Sequence, residues 1–132
     1  MIGLDTNVLL RYLVQDDPAQ SRRATEIIEN RLTLQDPGFV SLVTVVEIVW
    51  VLKSLFGRSR QEIAGDLEMI LAADTLEVQN ELEVYQAVVA LRSESGTFED
   101  ALIGALGTWR GCLTTVTFDR KAAQKLRGYS LV

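Results

Sequence analysis

Four acidic residues, Asp5, Glu47, Asp100 and Asp119, lie far apart in the chain, each at or near a segment that reads as the start of a helix. Carboxylates suit a hard divalent cation such as Mg²⁺ or Mn²⁺, which prefers carboxylate and water oxygens. A cation so held orients water, makes it more nucleophilic and offsets charge growing on a phosphoryl oxygen. Other chemistries are closed to this chain. It has no histidine, and its only cysteine is Cys112. A Ser-His-Asp triad and a Cys-His pair are therefore excluded, and a structural zinc site lacks its ligands. Catalysis must rest on carboxylates, hydroxyls, lysine or arginine.

Each acid also has a plain structural explanation. Asp5 precedes a helix and can serve as its N-cap, with Thr6 or Asn7 sharing the task. Thr44-Val45-Val46-Glu47 matches a capping box, Thr97-Phe98-Glu99-Asp100 is a looser version of it, and Asp119 can cap the helix starting at Arg120. Taken singly, capping is the better reading of each. Context shifts the balance. Glu47 and Asp100 sit within apolar stretches, where an unpartnered carboxylate is costly to desolvate. Lys53, six residues past Glu47, falls on a different helix face. Two like charges ~4 Å apart repel by ~4 kcal/mol at an effective dielectric of about 20, so four gathered acids would be relieved by a shared cation.

The elements must position these acids. Ile2 to Asp5 reads as a buried strand, and Thr6 to Val14 as a helix. Asp17 and Pro18 open a second helix as N-cap and first position, running to about Asn30. Asp36-Pro37-Gly38 is a turn. Phe39 to Leu42 is a strand, and Val43 to Phe56 a helix buried on several sides and ended by Gly57. Gln61 to Ala73 is an amphipathic helix. Leu76 to Val78 is a strand, Glu81 to Ser93 a helix, and Gly96 a break. Phe98 to Trp109 is a helix, Cys112 to Thr117 a β-branched strand, Arg120 to Leu126 a helix, and Tyr129 to Val132 an edge strand. This alternation predicts an α/β domain with a mainly parallel central sheet and right-handed crossovers. Asp5 and Asp119 then lie at carboxyl ends of strands, where such sheets place their sites. Trp50 and Trp109 read as core, and Cys112 as a buried strand residue.

The 132 residues, 48% hydrophobic, suffice for a single domain covering 1–132. No apolar run reaches the ~18–20 residues that span a bilayer. The N-terminus shows no basic region followed by a cleavable apolar stretch, so no signal peptide is expected. One cysteine excludes an internal disulfide and fits a reducing cytoplasm. The net charge of −5 argues against a protein that merely coats nucleic acid, which is usually basic.

Several stretches together carry a resemblance. They are Leu4-Asp5-Thr6-Asn7, Ser41 to Glu47 (SLVTVVE), Phe98 to Ala105 (FEDALIGA), and Gly111 to Ala123 (GCLTTVTFDRKAA). With them the chain resembles the PIN-domain family, and within it the VapC-type toxins, from end to end. The resemblance implies a three-layer α/β/α PIN-like domain and a Mg²⁺- or Mn²⁺-dependent endoribonuclease. It places Asp5, Glu47, Asp100 and Asp119 on the family's acidic quartet. Asn7 and Thr117 fall on supporting polar positions, and Glu99 is an extra acid near the metal. It further implies a homodimer restrained by a small antitoxin, with RNA as substrate. Arg11, Lys53 and Arg58, with Arg22, Arg23 and Arg60, could meet RNA phosphates or simply form solvated helix faces. Two alternatives stand beside this reading. One is a non-catalytic PIN-like RNA- or protein-binding module. The other is a metal-dependent DNA nuclease, a class whose chains are generally longer and carry DNA-grasping segments missing here.

Overall fold

A computed structural model describes residues 1–132. The chain opens with β1 (Ile2–Gly3), α1 (Thr6–Val14) and α2 (Pro18–Thr25). The last continues as a wider π-helical coil over Glu26–Arg31. Then come β2 (Gly38–Val40), α3 (Leu42–Ser54), α4 (Arg60–Ala72), β3 (Leu76–Val78), α5 (Glu81–Arg92) and α6 (Phe98–Trp109). The chain closes with β4 (Thr115–Thr117), α7 (Arg120–Lys125) and β5 (Tyr129–Leu131). No helix is long and apolar enough to cross a membrane.

Local chemistry explains most boundaries. The Asp17 side chain accepts from the Gln20 N–H at 3.0 Å, and Pro18 follows at a position whose N–H would have no helical partner. Ser59 and Glu62 form a reciprocal capping box that starts α4, a signal the sequence reading passed over. The helix predicted from Val43 begins one residue earlier, capped by Ser41 rather than by Thr44. Gly38 is required by close packing: a Cβ there would lie 2.7 Å from Leu4 Cδ1 and 2.8 Å from Leu32 Cδ1. Chain reversal into β2 therefore uses the only residue that lets both leucines reach the core.

All strand pairs are parallel, as expected for an α/β/α layering with crossover helices. The single sheet that the sequence suggested is divided. β1, β2 and β3 form one sheet in that order, with Gly3 opposite Phe39 and Val40 opposite Val78. β4 pairs only with β5, Thr117 lying opposite Leu131. The ladder shows the edge that each sheet leaves unpaired. β1 spends the N–H groups of Ile2 and Leu4 on the Pro37 and Phe39 carbonyls, so Gly3 faces outward along a free edge. On β4, the Thr115 N–H and the Thr117 carbonyl serve β5, so Val116 faces outward.

The core follows the same division. Its 22 residues include Leu9, Val40, Ile48, Leu52, Leu67, Val88 and Phe98, and none lies beyond Leu102. Downstream, Leu113, Val116 and Phe118 are 101%, 66% and 85% exposed. Three readings need correction here. β1, expected to be a buried strand, is exposed at both Ile2 and Gly3, because it forms the edge of its sheet. Trp50 and Trp109, expected in the core, are more than half exposed. Cys112, expected to be a buried strand residue, is exposed and precedes β4. Trp50 lies on the groove face of α3 with Val43 and Glu47, Trp109 ends α6, and Cys112 falls in the connection between α6 and β4.

Candidate active site

Asp5 follows β1 directly and occupies the N-cap position of α1 in an extended conformation. Its side chain makes no capping hydrogen bond, so both carboxylate oxygens face solvent without a protein donor. Helix initiation thus does not explain this residue. The neighbouring Thr6 is buried and Asn7 exposed.

Glu47 lies in the second turn of α3. The Ser41 hydroxyl accepts from the Thr44 N–H at 3.2 Å and makes the cap. The Thr44–Glu47 box is not formed, and Glu47 has neither an ion pair nor a hydrogen bond. The desolvation expected for it does not occur: Glu47 is exposed, because its face of α3 lines an open groove rather than the core.

Asp100 occupies the first turn of α6. The Thr97 hydroxyl accepts from the Asp100 N–H at 3.1 Å, while the Asp100 carboxylate has no donor and is partly exposed. Its backbone carbonyl is held from across the chain by the Tyr129 hydroxyl at 2.5 Å. Gly104 makes room for that ring, since a Cβ there would come within 2.7 Å of Tyr129 Cε2. Burial pushes the Tyr129 phenol above its ordinary value, and the negative Asp100 adds to the effect. The sequence reading missed this positioning role of Tyr129. The two residues are 29 apart, and only the small side chain at Gly104 hints at the contact.

Asp119 differs from the other three. One of its oxygens, Oδ1, accepts from the Lys121 and Ala122 N–H groups at 2.9 and 3.2 Å, so it is a working N-cap of α7. Thr117 sets the approach, its hydroxyl accepting from the Asp119 N–H at 3.0 Å. Oδ2 has no protein donor.

The structure brings some of these residues together. Glu47 and Glu99 line one groove of about 680 Å³ between α3 and α6, walled by Val43, Val46, Trp50, Leu102 and Ile103. It does not gather three or more acids into a group that could hold a single ion. The donor types, carboxylates without histidine, match Mg²⁺ or Mn²⁺, but in this arrangement their spacing does not. The cations are placed unequally. Arg58 is committed to Asp66 at 2.7 Å, where burial raises the Asp66 carboxyl and Arg58 only partly offsets it. Arg60 braces the Ala90, Leu91 and Gly96 carbonyls. Arg11 bonds Gln20 and Asp16. Lys53, Arg22 and Arg23 are exposed and make no ion pair.

The PIN-domain family model matches residues 2–127, nearly the whole chain and every element but β5. The chain belongs to the PIN-domain family. Comparison with curated proteins and with solved structures returned no match. PIN domains are nucleases as a class and generally use divalent metals.

Proposed function

We propose that this PIN domain is a Mg²⁺- or Mn²⁺-dependent endoribonuclease and the toxin of a toxin–antitoxin pair. The observation that carries the reading is the idle state of three carboxylates. Asp5, Glu47 and Asp100 stand at or near helix starts, yet none spends its side chain on capping or on an ion pair. Four separate caps would have bonded their own helices. Only Asp119 does so, and it keeps Oδ2 free.

In this reading Asp5, Asp100 and Asp119 are the oxygen donors that would hold the cation, and Glu47 would hold the cation or its water. A divalent ion, when bound, supplies positive charge for the phosphoryl oxygens and a more acidic water. The chain's own contributions are positional. Tyr129 fixes the first turn of α6 and so the backbone of Asp100. Thr117 fixes the loop that carries Asp119. Asn7, exposed two residues after Asp5, and Glu99, in the Glu47 groove, are supporting groups. RNA is favoured over DNA by the resemblance to VapC-type toxins. From the same source come a homodimer and a small antitoxin, and the single cysteine fits a reducing cytoplasm.

The deciding experiment compares cleavage of labelled RNA and of DNA of the same sequence by homogeneous wild type and Asp100→Asn. Metal-dependent RNA cleavage that Asp100→Asn lacks is expected, as is growth arrest on induction of the wild type alone. Full cleavage by the variant, or cleavage in excess EDTA, would overturn the assignment. Preference for DNA would move the alternative nuclease reading forward.

A further inference from the structure

A second groove, of about 450 Å³, runs between α1 and α2. Its polar wall is Asn7 and Arg11 from α1 with Gln20 and Arg23 from α2, and Val8 and Ile27 are among its apolar lining. In a chain of net charge −5, this groove is lined by two guanidiniums and no acid. The grooves at Glu47 and Glu99, and at Glu68 and Glu81, are acidic by contrast. Asn7 and Arg11 are four apart, on one face of α1, so the groove starts in the helix turn that follows Asp5.

We infer that this groove is the track for the phosphodiester backbone of the RNA strand leading to Asp5. The inference rests on the nuclease reading above. Arg11 is preset for the task. Its Nε donates to Gln20 at 2.7 Å and one terminal nitrogen to Asp16 at 3.1 Å. A guanidinium carries five N–H donors, so the other terminal nitrogen remains free for a phosphate oxygen with little rotamer entropy left to lose. Arg23 makes no hydrogen bond or ion pair, so its charge is uncompensated and ready for an anion. Asn7 and Gln20 add neutral polar groups suited to sugar and phosphate oxygens, which position a strand without reading its sequence.

The test is fluorescence anisotropy of a labelled single-stranded RNA with the full chain, in EDTA and in Mg²⁺, across a salt series. Arg23→Gln is the main variant because Arg23 braces nothing. It should weaken binding about 3- to 10-fold and lower the slope of log K against log salt by about 0.7, one phosphate contact. Arg23→Glu should weaken it further. The control is Lys125→Gln with Arg127→Gln, in the other basic hollow beside α6, and it should bind as wild type. Unchanged affinity and slope for both Arg23 variants would overturn the track. An equal loss in the control would overturn it too, because binding would then follow overall charge alone. Wild type that binds no RNA in either buffer would sink the nuclease reading along with it. Competition by polyglutamate as strong as by RNA would assign the groove to an acidic peptide instead.

Discussion

Among the four acids the structure separates two kinds of work. Asp119 stabilises a helix, while Asp5 sits in the same N-cap position and does not. Asp119→Ala should therefore cost about 1 kcal/mol of stability, the worth of a side-chain cap. Asp5→Asn should stay within about 0.5 kcal/mol of wild type. Both should lower RNA cleavage by about 100-fold or more if they share the reaction, as loss of one electrostatic partner commonly does. Urea unfolding beside a cleavage assay checks both halves, and equal stability losses would mean that Asp5 has a structural role not visible in its bonding. Tyr129 yields a pH prediction. Its phenol is raised in the folded state, so the folded protein holds that proton more tightly than the unfolded one. The resulting stability is fully present below the ordinary phenol value of about 10 and is lost as pH rises through the folded value. Tyr12 is raised in the same direction, by burial first and Glu29 second. Tyr129→Phe should thus flatten, without abolishing, the fall in unfolding free energy above about pH 10. A profile as steep as wild type would show that folding does not tighten the hold of Tyr129 on its phenol proton.

At the scale of elements, much was legible because the governing signals are local. The bounds of α1, α6 and β3 agree with the reading from sequence, since each is framed by a cap, a turn or an abrupt change of hydrophobic period. Asp17-Pro18 was legible for the same reason. Ser41 was hidden because Thr44, three residues on, offered an equally good cap by pattern alone. β4 was drawn too long: β-branched residues favour extension, but only Thr115 to Thr117 have a partner strand. The partition into two sheets was not legible, because strand pairing depends on which edges meet in space. The four acids were found by type and spacing, whereas which of them caps a helix required the hydrogen bonds. The free edges carry the next prediction. The Gly3 and Val116 amides face away from their partner strands, so they should exchange with solvent faster than the bonded amides of Leu4 and Gln79. Asp5 follows β1 and Asp119 follows β4, so an ion held by both would tie these two edges together. Mn²⁺ should then slow exchange at Gly3 and Val116 while leaving α4 unchanged. If metal binds and both amides still exchange freely, the ion is held without closure of the sheets, and Asp119 is not among its ligands.

For the whole molecule, the governing quantity is charge. Eighteen acids face thirteen bases, and a nuclease must bring a polyanion to this surface. A bound cation answers both the mutual repulsion of the acids and their repulsion of the phosphate. Because it binds the folded state and has no assembled site in the unfolded one, it must also stabilise the fold. At ~100 times its Kd it should add ~2.7 kcal/mol, a rise of several degrees in Tm for a domain of this size. Thermal melts in EDTA, Mg²⁺ and Mn²⁺ measure this without any knowledge of the substrate. Asp100→Asn should respond less than wild type, and in EDTA it should melt as high or higher, since one acid fewer remains to repel its neighbours. Ca²⁺ distinguishes a cage from a charge effect: a larger, more flexible ion should rescue Tm if charge density alone matters, and less well if ligand geometry decides. A Tm indifferent to every divalent ion at millimolar concentration would return Glu47, Asp100 and Asp5 to the status of solvated surface acids. The family's fold would then be present here without its metal chemistry, and the binding-module alternative would account better for the chain.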